Sequence, residues 1–339
     1  MKRLWLTALA VLAVLACFGG SASASRVLSE TNAVSCTPTG LMRDGINLTA
    51  AVYKPQRAIT GTVDATGCNI GVYFGAGSTG RVLHANVFGA NYFGVVNNGG
   101  NVTVRSSQIH DIGEHPLNGA QHGIGVAFVR DSGQPSTGSV AHTGIAHYQK
   151  GGIVFSGPQT SGKITGNSVK GEGAVPYIAQ NGIQVSAGAS VQVKSNSVDD
   201  NAYTGSGGAS SAGILVFGGC GQEVTNGTTV AGNHLDNNDV GVWVYDADPS
   251  CANPSPTPTN VMVTLNHIFN GAVTNTSGWG PGEGYQAGIS DFGNNDTITR
   301  NWICGAGYTP TAGPNHLYFI DTTGSITPHV SRNTTSSYC

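Results

Sequence analysis

The sequence predicts an all-β chain wound as a single-stranded right-handed parallel β-helix, a solenoid of about eight to nine coils of roughly thirty residues each. Three observations carry this. A glycine followed by a short apolar run recurs at near-constant spacing, an asparagine-bearing motif recurs between those runs, and the cysteines echo the same period.

The first element is a leader. Lys2 and Arg3 precede an apolar run from Leu4 to Phe18 and the small residues Ala22-Ser23-Ala24. That order reads as a secretory signal peptide over residues 1–24, and the run is shorter than the ~20 residues a membrane span needs. A rival reading uses Cys17, after Val14-Leu15-Ala16, as a lipid-attachment cysteine; Leu15 suits it less well than the Ala-x-Ala site suits cleavage. The expected product is a secreted, extracellular chain with no membrane partner, and a monomer.

Residues 25–58 carry no clear repeat and are expected to cap the first coil, which would otherwise be an open sheet edge. Residues 59–339 form the solenoid, with Leu317 to Cys339 as the cap at the far end. Its strands begin at Gly71-Val72-Tyr73, Gly94-Val95-Val96, Gly123-Ile124-Gly125-Val126, Gly152-Ile153-Val154-Phe155, Gly182-Ile183-Gln184-Val185, Gly213-Ile214-Leu215-Val216, Gly241-Val242-Trp243-Val244 and Gly288-Ile289-Ser290. Successive glycines lie 23, 29, 29, 30, 31, 28 and 47 residues apart. Short β-branched and aromatic runs behind a turn-tolerant residue signal strands rather than helices. One coil cannot bury its own apolar face, so the coils stack, and parallel crossovers wind right-handed.

Between these runs come segments such as Val82-Leu83-His84-Ala85-Asn86-Val87, Ile164-Thr165-Gly166-Asn167-Ser168-Val169, Val193-Lys194-Ser195-Asn196-Ser197-Val198, Val230-Ala231-Gly232-Asn233-His234-Leu235, Val263-Thr264-Leu265-Asn266-His267-Ile268 and Ile298-Thr299-Arg300-Asn301-Trp302-Ile303. The asparagine is expected at the bend between two strands, in left-handed backbone, with its amide stacked on the asparagine of the next coil. These asparagines are scaffold, not ligand contacts.

Apart from Cys17, the cysteines fall as Cys36 with Cys68, Cys220 with Cys251, and Cys304 with Cys339, separated by 32, 31 and 35 positions. Each separation is close to one coil, which places the partners on neighbouring coils at bonding distance. An even count in an exported chain reads as three disulfides. No Cys-x-x-Cys or matching histidine spacing points to a metal.

Charge excludes one partner class. Only 10% of residues are charged, the formal net charge is −3, and no cluster of Lys and Arg is present to hold a nucleic acid backbone.

Breaks in the repeat mark the functional candidates. The spacing of 47 holds two insertions, Asp246 to Asn260 and Thr274 to Gln286; Trp279 and Tyr285 in the second either stack on sugar rings or cover the core. Aligning the segments after the asparagine bend on Ile109, Ile145, Val169, Val198 and Leu235 puts Asp111, His147, Glu172 and Asp200 on one strip of adjacent coils, with Lys150 close by. In a chain this poor in charge, the strip is the candidate catalytic site. Glu172 and Asp200 are expected as neighbouring carboxylates able to hydrolyse a glycosidic bond. Lys150 or His147 can instead take the proton beside a uronate carboxyl. Tyr148, Gln180, Asn181 and Trp279 are the candidate substrate contacts. The alternative is that polar turn residues here only face water. Glu114, His115 and His122 form a further His-rich loop with no ligand spacing to enforce a metal. No cofactor motif is present, and a calcium ion between coil turns is compatible with the acidic turns.

These repeats resemble the pectate-lyase-like right-handed β-helix superfamily of secreted bacterial proteins over about residues 59 to 335. The resemblance is architectural, and it implies a carbohydrate ligand without fixing an activity. The chain has no Arg-x-Pro-x-x-Arg segment of pectate lyases, no Asn-Thr-Asp with following Asp-Asp and Arg-Ile-Lys of polygalacturonases, and no Asp-Pro-His-Glu of alginate epimerases. Asp199-Asp200 and His122-Gly123 resemble polygalacturonase fragments in the wrong order. The expected function is an extracellular carbohydrate-active protein, a polysaccharide lyase or glycoside hydrolase acting on a polysaccharide or cell-surface glycan. A non-catalytic glycan-binding or matrix protein is the alternative.

Overall fold

The computed structural model describes residues 35–275, 285–310 and 317–339. The leader, Cys17 and Trp279 lie outside them. Among the described residues the protein is all-β, with no helix and so none long and apolar enough to cross a membrane.

Two large sheets make the fold, one of 11 strands and one of 18. The first sheet opens with an antiparallel pair, Thr37–Arg43 against Ile46–Tyr53, and continues in parallel to Ile320–Asp321. The second takes one strand from each of the first two repeats, Ile59–Asp64 and Thr79–Phe88, and two from each repeat after them. Thus Ile124–Val129, Ser136–Ala141 and Gly144–Tyr148 pair respectively with Gly151–Ser156, Thr160–Thr165 and Ser168–Val175, the strands of the next repeat. We call each such set of three strands a rung.

The two sheets differ in sequence because they differ in burial. First-sheet strands such as Asn181–Ser186 are buried along their whole length and read as continuous runs. Second-sheet strands such as Ser190–Lys194 alternate buried and exposed positions, so one face meets the core and the other meets water. Val72, Val95, Val126, Ile153, Ile183, Ile214, Val242 and Ile289 form one in-register column with no exposed surface. Ile109, Ile145, Val169, Val198, Leu235, Ile268 and Ile303 form another on the second sheet. Full burial of each such side chain contributes roughly 1.5–3 kcal/mol.

The recurring glycines are not there for turns. Gly71, Gly94, Gly125, Gly152, Gly182, Gly213 and Gly241 have ordinary backbone, and a Cβ on each would strike the carbonyl oxygen of the next glycine in the column at 2.5–2.9 Å. Glycine is required because neighbouring rungs approach too closely for a side chain. The third member of the column is Gly125; Gly123, expected there, sits in the preceding turn at φ +85°.

The asparagine ladder is present, with two corrections. Asn167, Asn196, Asn233, Asn266, Asn301 and Asn333 are linked in series, each Nδ2 donating to the next Oδ1 at 2.9 Å. The left-handed residue of the bend is the one before the asparagine, for example Ser195 at φ 55° or Leu265 at φ 57°. Asn86 is not in the row: Ala85 takes that place, and Asn86 faces outward, its Oδ1 accepting from His110 Nε2 at 2.9 Å.

Three disulfides join Cys36 to Cys68, Cys220 to Cys251 and Cys304 to Cys339, with Cα separations of 5.5, 4.7 and 5.6 Å. They fit an oxidising compartment. At the start of the chain, the turn of the antiparallel pair reaches across the outer face of the first sheet. Arg43 pairs with Asp131 at 2.7 Å, and Asp44 accepts from the Tyr92 hydroxyl at 2.9 Å. Leu41 and Leu48 thereby join a second apolar cluster with Ile70, Tyr73, Phe93 and Val96.

Candidate functional site

Several loops leave one corner of the fold, where the second sheet hands the chain to the first; the Asp246 to Asn260 insertion lies instead where the first sheet returns the chain to the second. Residues 113–123, 149–150, 176–180, 204–211 and 237–239 connect the strands at successive rungs, and the described residues 270–275 and 285–286 belong to the connection at the next one. Buried polar side chains pin several of them. Gln149 accepts from the amides of Glu114 and Asn118, Gln180 from that of Glu172, and Gln286 from those of Thr274 and Asn275. Asp239 accepts from the amides of Tyr203 and Ser211. A loop amide that would lose water on docking is satisfied from inside.

The strip expected from the sequence runs along this corner. Asp111, His147 and Asp200 occupy equivalent places two residues beyond Ile109, Ile145 and Val198, with φ of 54°, 49° and 59°. Between His147 and Asp200, Gly171 holds the place, and Glu172 follows it where the register shifts. Each charged group has its own partner. His147 Nδ1 lies 3.0 Å from Glu172 Oε1, Asp200 Oδ2 lies 3.5 Å from Lys170 Nζ, and Asp111 Oδ2 lies 2.6 Å from His110 Nδ1. Glu172 and Asp200 are therefore divided between two partners, the His147 imidazole and the Lys170 ammonium, rather than set against each other as a carboxylate pair.

His147 is the accessible member, with 65% of its side chain exposed against 21% for Glu172. A carboxylate on Nδ1 holds the proton there and leaves the lone pair on Nε2. Lys170, 64% exposed, is on the strand beside it, in register with Ala146.

The other expected members of the site make their contacts behind this corner or on the first sheet. Lys150 Nζ donates to the carbonyl of Ala179 at 2.8 Å, beneath the 176–180 loop, and burial pushes its amine down to about 8. Tyr148 has no exposed surface; its hydroxyl donates to Asn201 Oδ1 at 2.7 Å, and burial holds its phenol well above the usual range. Gln180 is equally buried, with Nε2 spent on the carbonyls of Tyr148 and Gln149. Asn181 is buried on the first sheet and donates to Gln184 Oε1 at 3.2 Å. Tyr148 and Gln180 thus hold the scaffold with no exposed surface, and Asn181 keeps 8%.

The His-rich loop is a clasp. His122 reaches Glu114 Oε1 at 2.8 Å through Nε2 and Asp44 Oδ2 at 3.6 Å through Nδ1, and its ring stacks on Tyr92. Among the described residues, no group of three or more His, Cys, Asp or Glu is disposed to hold a metal ion.

The sequence reading passed over one row. Ser168, Ser197, His234, His267, Trp302 and Thr334, the residues immediately after the ladder asparagines, stand in register on the outer face of the second sheet. Asp199 and Asp236 pair two places further along, and burial raises Asp199 above the usual carboxylate range. The signal was available in the sequence as the position following each ladder asparagine.

Set against known proteins, the chain matches no family model and no curated sequence.

Proposed function

We propose that the protein is a secreted right-handed parallel β-helix of the pectate-lyase-like kind, and that it cleaves a uronate-containing extracellular polysaccharide by elimination at His147. The leader and the disulfides support export, and the crossover preference of parallel strands supports the hand. The observation that carries the chemistry is the exposed imidazole of His147 with Nδ1 held 3.0 Å from Glu172. Nε2 takes the proton from the carbon beside the uronate carboxylate, the glycosidic oxygen leaves from the neighbouring carbon with its bonding pair and takes a proton from solvent, and a carbon–carbon double bond forms between the two carbons. Lys170 neutralises the charge that develops on the uronate, a contribution that grows toward the transition state. Hydrolysis is less well supported, because Glu172 and Asp200 are held by different partners, His147 and Lys170, rather than set together as a pair.

The exposed ring row of His234, His267 and Trp302 favours a second reading, glycan binding without chemistry, since flat rings stack on sugars. One assay separates the readings. Purified protein is incubated with uronate-rich and neutral polysaccharides, and both reducing ends and the ultraviolet absorbance of unsaturated products are followed. Elimination predicts both signals on uronate polymers, with His147→Ala losing about 10²–10⁴-fold in rate. Reducing ends without absorbance would mean hydrolysis, and binding without product the second reading. Unsaturated product formed equally well by His147→Ala would remove His147 as the base.

A further inference from the structure

We infer that His234 and His267 form a surface site for a divalent copper ion, bound through their two Nδ1 atoms. The two residues stand in register on adjacent parallel strands, their rings stack with centroids 4.6 Å apart, and the Nδ1 atoms lie 2.8 Å from each other. That separation decides the geometry. With metal–nitrogen bonds of about 2.0 Å, two nitrogens 2.8 Å apart subtend about 90° at a shared ion. Tetrahedral zinc would spread them to about 3.3 Å, whereas neighbouring corners of a tetragonal site suit copper or nickel, and copper binds nitrogen donors more tightly than nickel.

The surroundings prepare the pair for this role. Asp236 Oδ2 lies 3.1 Å from His234 Nε2 and accepts its proton, which leaves the Nδ1 lone pair bare. In the metal-free pair, His267 Nδ1 then donates to His234 Nδ1. When copper binds, that proton moves by way of solvent to His267 Nε2, so both rings ligate as neutral imidazoles and no net charge leaves the protein. Asp199 and Asp236, in register beside the rings, each keep a buried Oδ1 that receives no hydrogen bond and add negative potential where the cation sits. His234 is about half exposed, and water fills the remaining coordination positions.

Trp302 supplies the readout. Its ring lies 4.4 Å from that of His267 and is 47% exposed, close enough for bound copper to quench its fluorescence. The intact, disulfide-bonded mature protein, carrying no affinity tag, is titrated with copper, nickel and zinc salts by calorimetry and by tryptophan emission. The expected result is one copper per chain, quenching that disappears in Trp302→Phe, and an electron spin resonance spectrum with two nitrogen ligands. His234→Ala and His267→Ala should each weaken binding at least tenfold, and Asp236→Asn by about tenfold as an outer-shell partner. Zinc should bind more weakly than copper. Circular dichroism of each variant confirms folding. Unchanged affinity in folded His234→Ala/His267→Ala, or no saturable copper binding by the parent protein, would overturn the assignment.

Discussion

Asp291 and Asp296 set their carboxyl groups against each other inside the protein, and one oxygen on each receives no donor from the chain. Burial and the mutual proximity of the pair push Asp291 up, and burial pushes Asp296 up. Asp246, buried close by and anchored on Thr225, is raised to about 6, and Asp239 at the loop corner to about 7, both chiefly by burial.

These acids make stability fall with rising pH. In the folded state they keep protons that the unfolded chain has already released, so the native state binds more protons between the ordinary value of 3.8 and about 7. Stability is then full below that window and is lost as pH rises through it, by at most about 1.4 kcal/mol per pH unit for each group. Thermal melts from pH 4 to pH 8 should show the decline, and Asp291→Asn, which supplies its own N–H donor, should flatten it. A Tm that rises across this window would contradict the assignment.

Replacing Asn233 by leucine should cost about 2–4 kcal/mol in denaturant unfolding. Its side chain accepts from the backbone and side-chain nitrogens of Asn196 and donates to Val193 and Asn266, and the abandoned buried groups have no water to turn to. Asn333→Ala, at the solvent-facing end of the row, should cost about 1 kcal/mol or less.

Two adjacent glycines offer a paired test. A Cβ at Gly152 would strike Val169 at 2.4 Å and the Gly182 carbonyl at 2.5 Å, so Gly152→Ala should destabilise by about 1–3 kcal/mol. A Cβ at Gly151 meets nothing closer than 3.4 Å, and Gly151→Ala should be neutral or stabilising by up to about 1 kcal/mol. Equal Tm shifts in the two variants would refute the close-approach reading.

The disulfides should resist labelling and contribute independently. A thiol count on the native mature protein is expected to find none free. Cys304→Ala/Cys339→Ala, opening a closure of 35 residues, should lose about 3–4 kcal/mol and lower the Tm.

The columns were legible in the sequence because they repeat: the glycine runs, the asparagines and the cysteine pairs all return at the rung period. Their physical reasons were not, because those lie between residues one rung apart. Nothing local distinguishes Gly123, which serves a turn, from Gly125, which yields to a carbonyl. The strip of Asp111, His147 and Asp200 was likewise readable as a column. What each side chain touches was not, since the one-residue shift at Gly171 and Glu172 decides that His147 meets Glu172 and that Lys170 meets Asp200. Tyr148 and Lys150 looked available because sequence shows neighbours in the chain and not the interior cluster that takes the Tyr148 ring or the Ala179 carbonyl that holds Lys150.

The row from Asn167 to Asn333 also has a direction. Every link donates the same way, toward the C-terminal end, so its amide dipoles lie head to tail. Such dipoles polarise one another, by about 10–30% per bond. The interior therefore distinguishes its two ends electrically, and a link near the middle is worth more than the same link near a terminus. A rung duplicated within the row would strengthen the links on both sides of it, whereas one lost from the middle would leave two shorter rows, each less polarised than the whole.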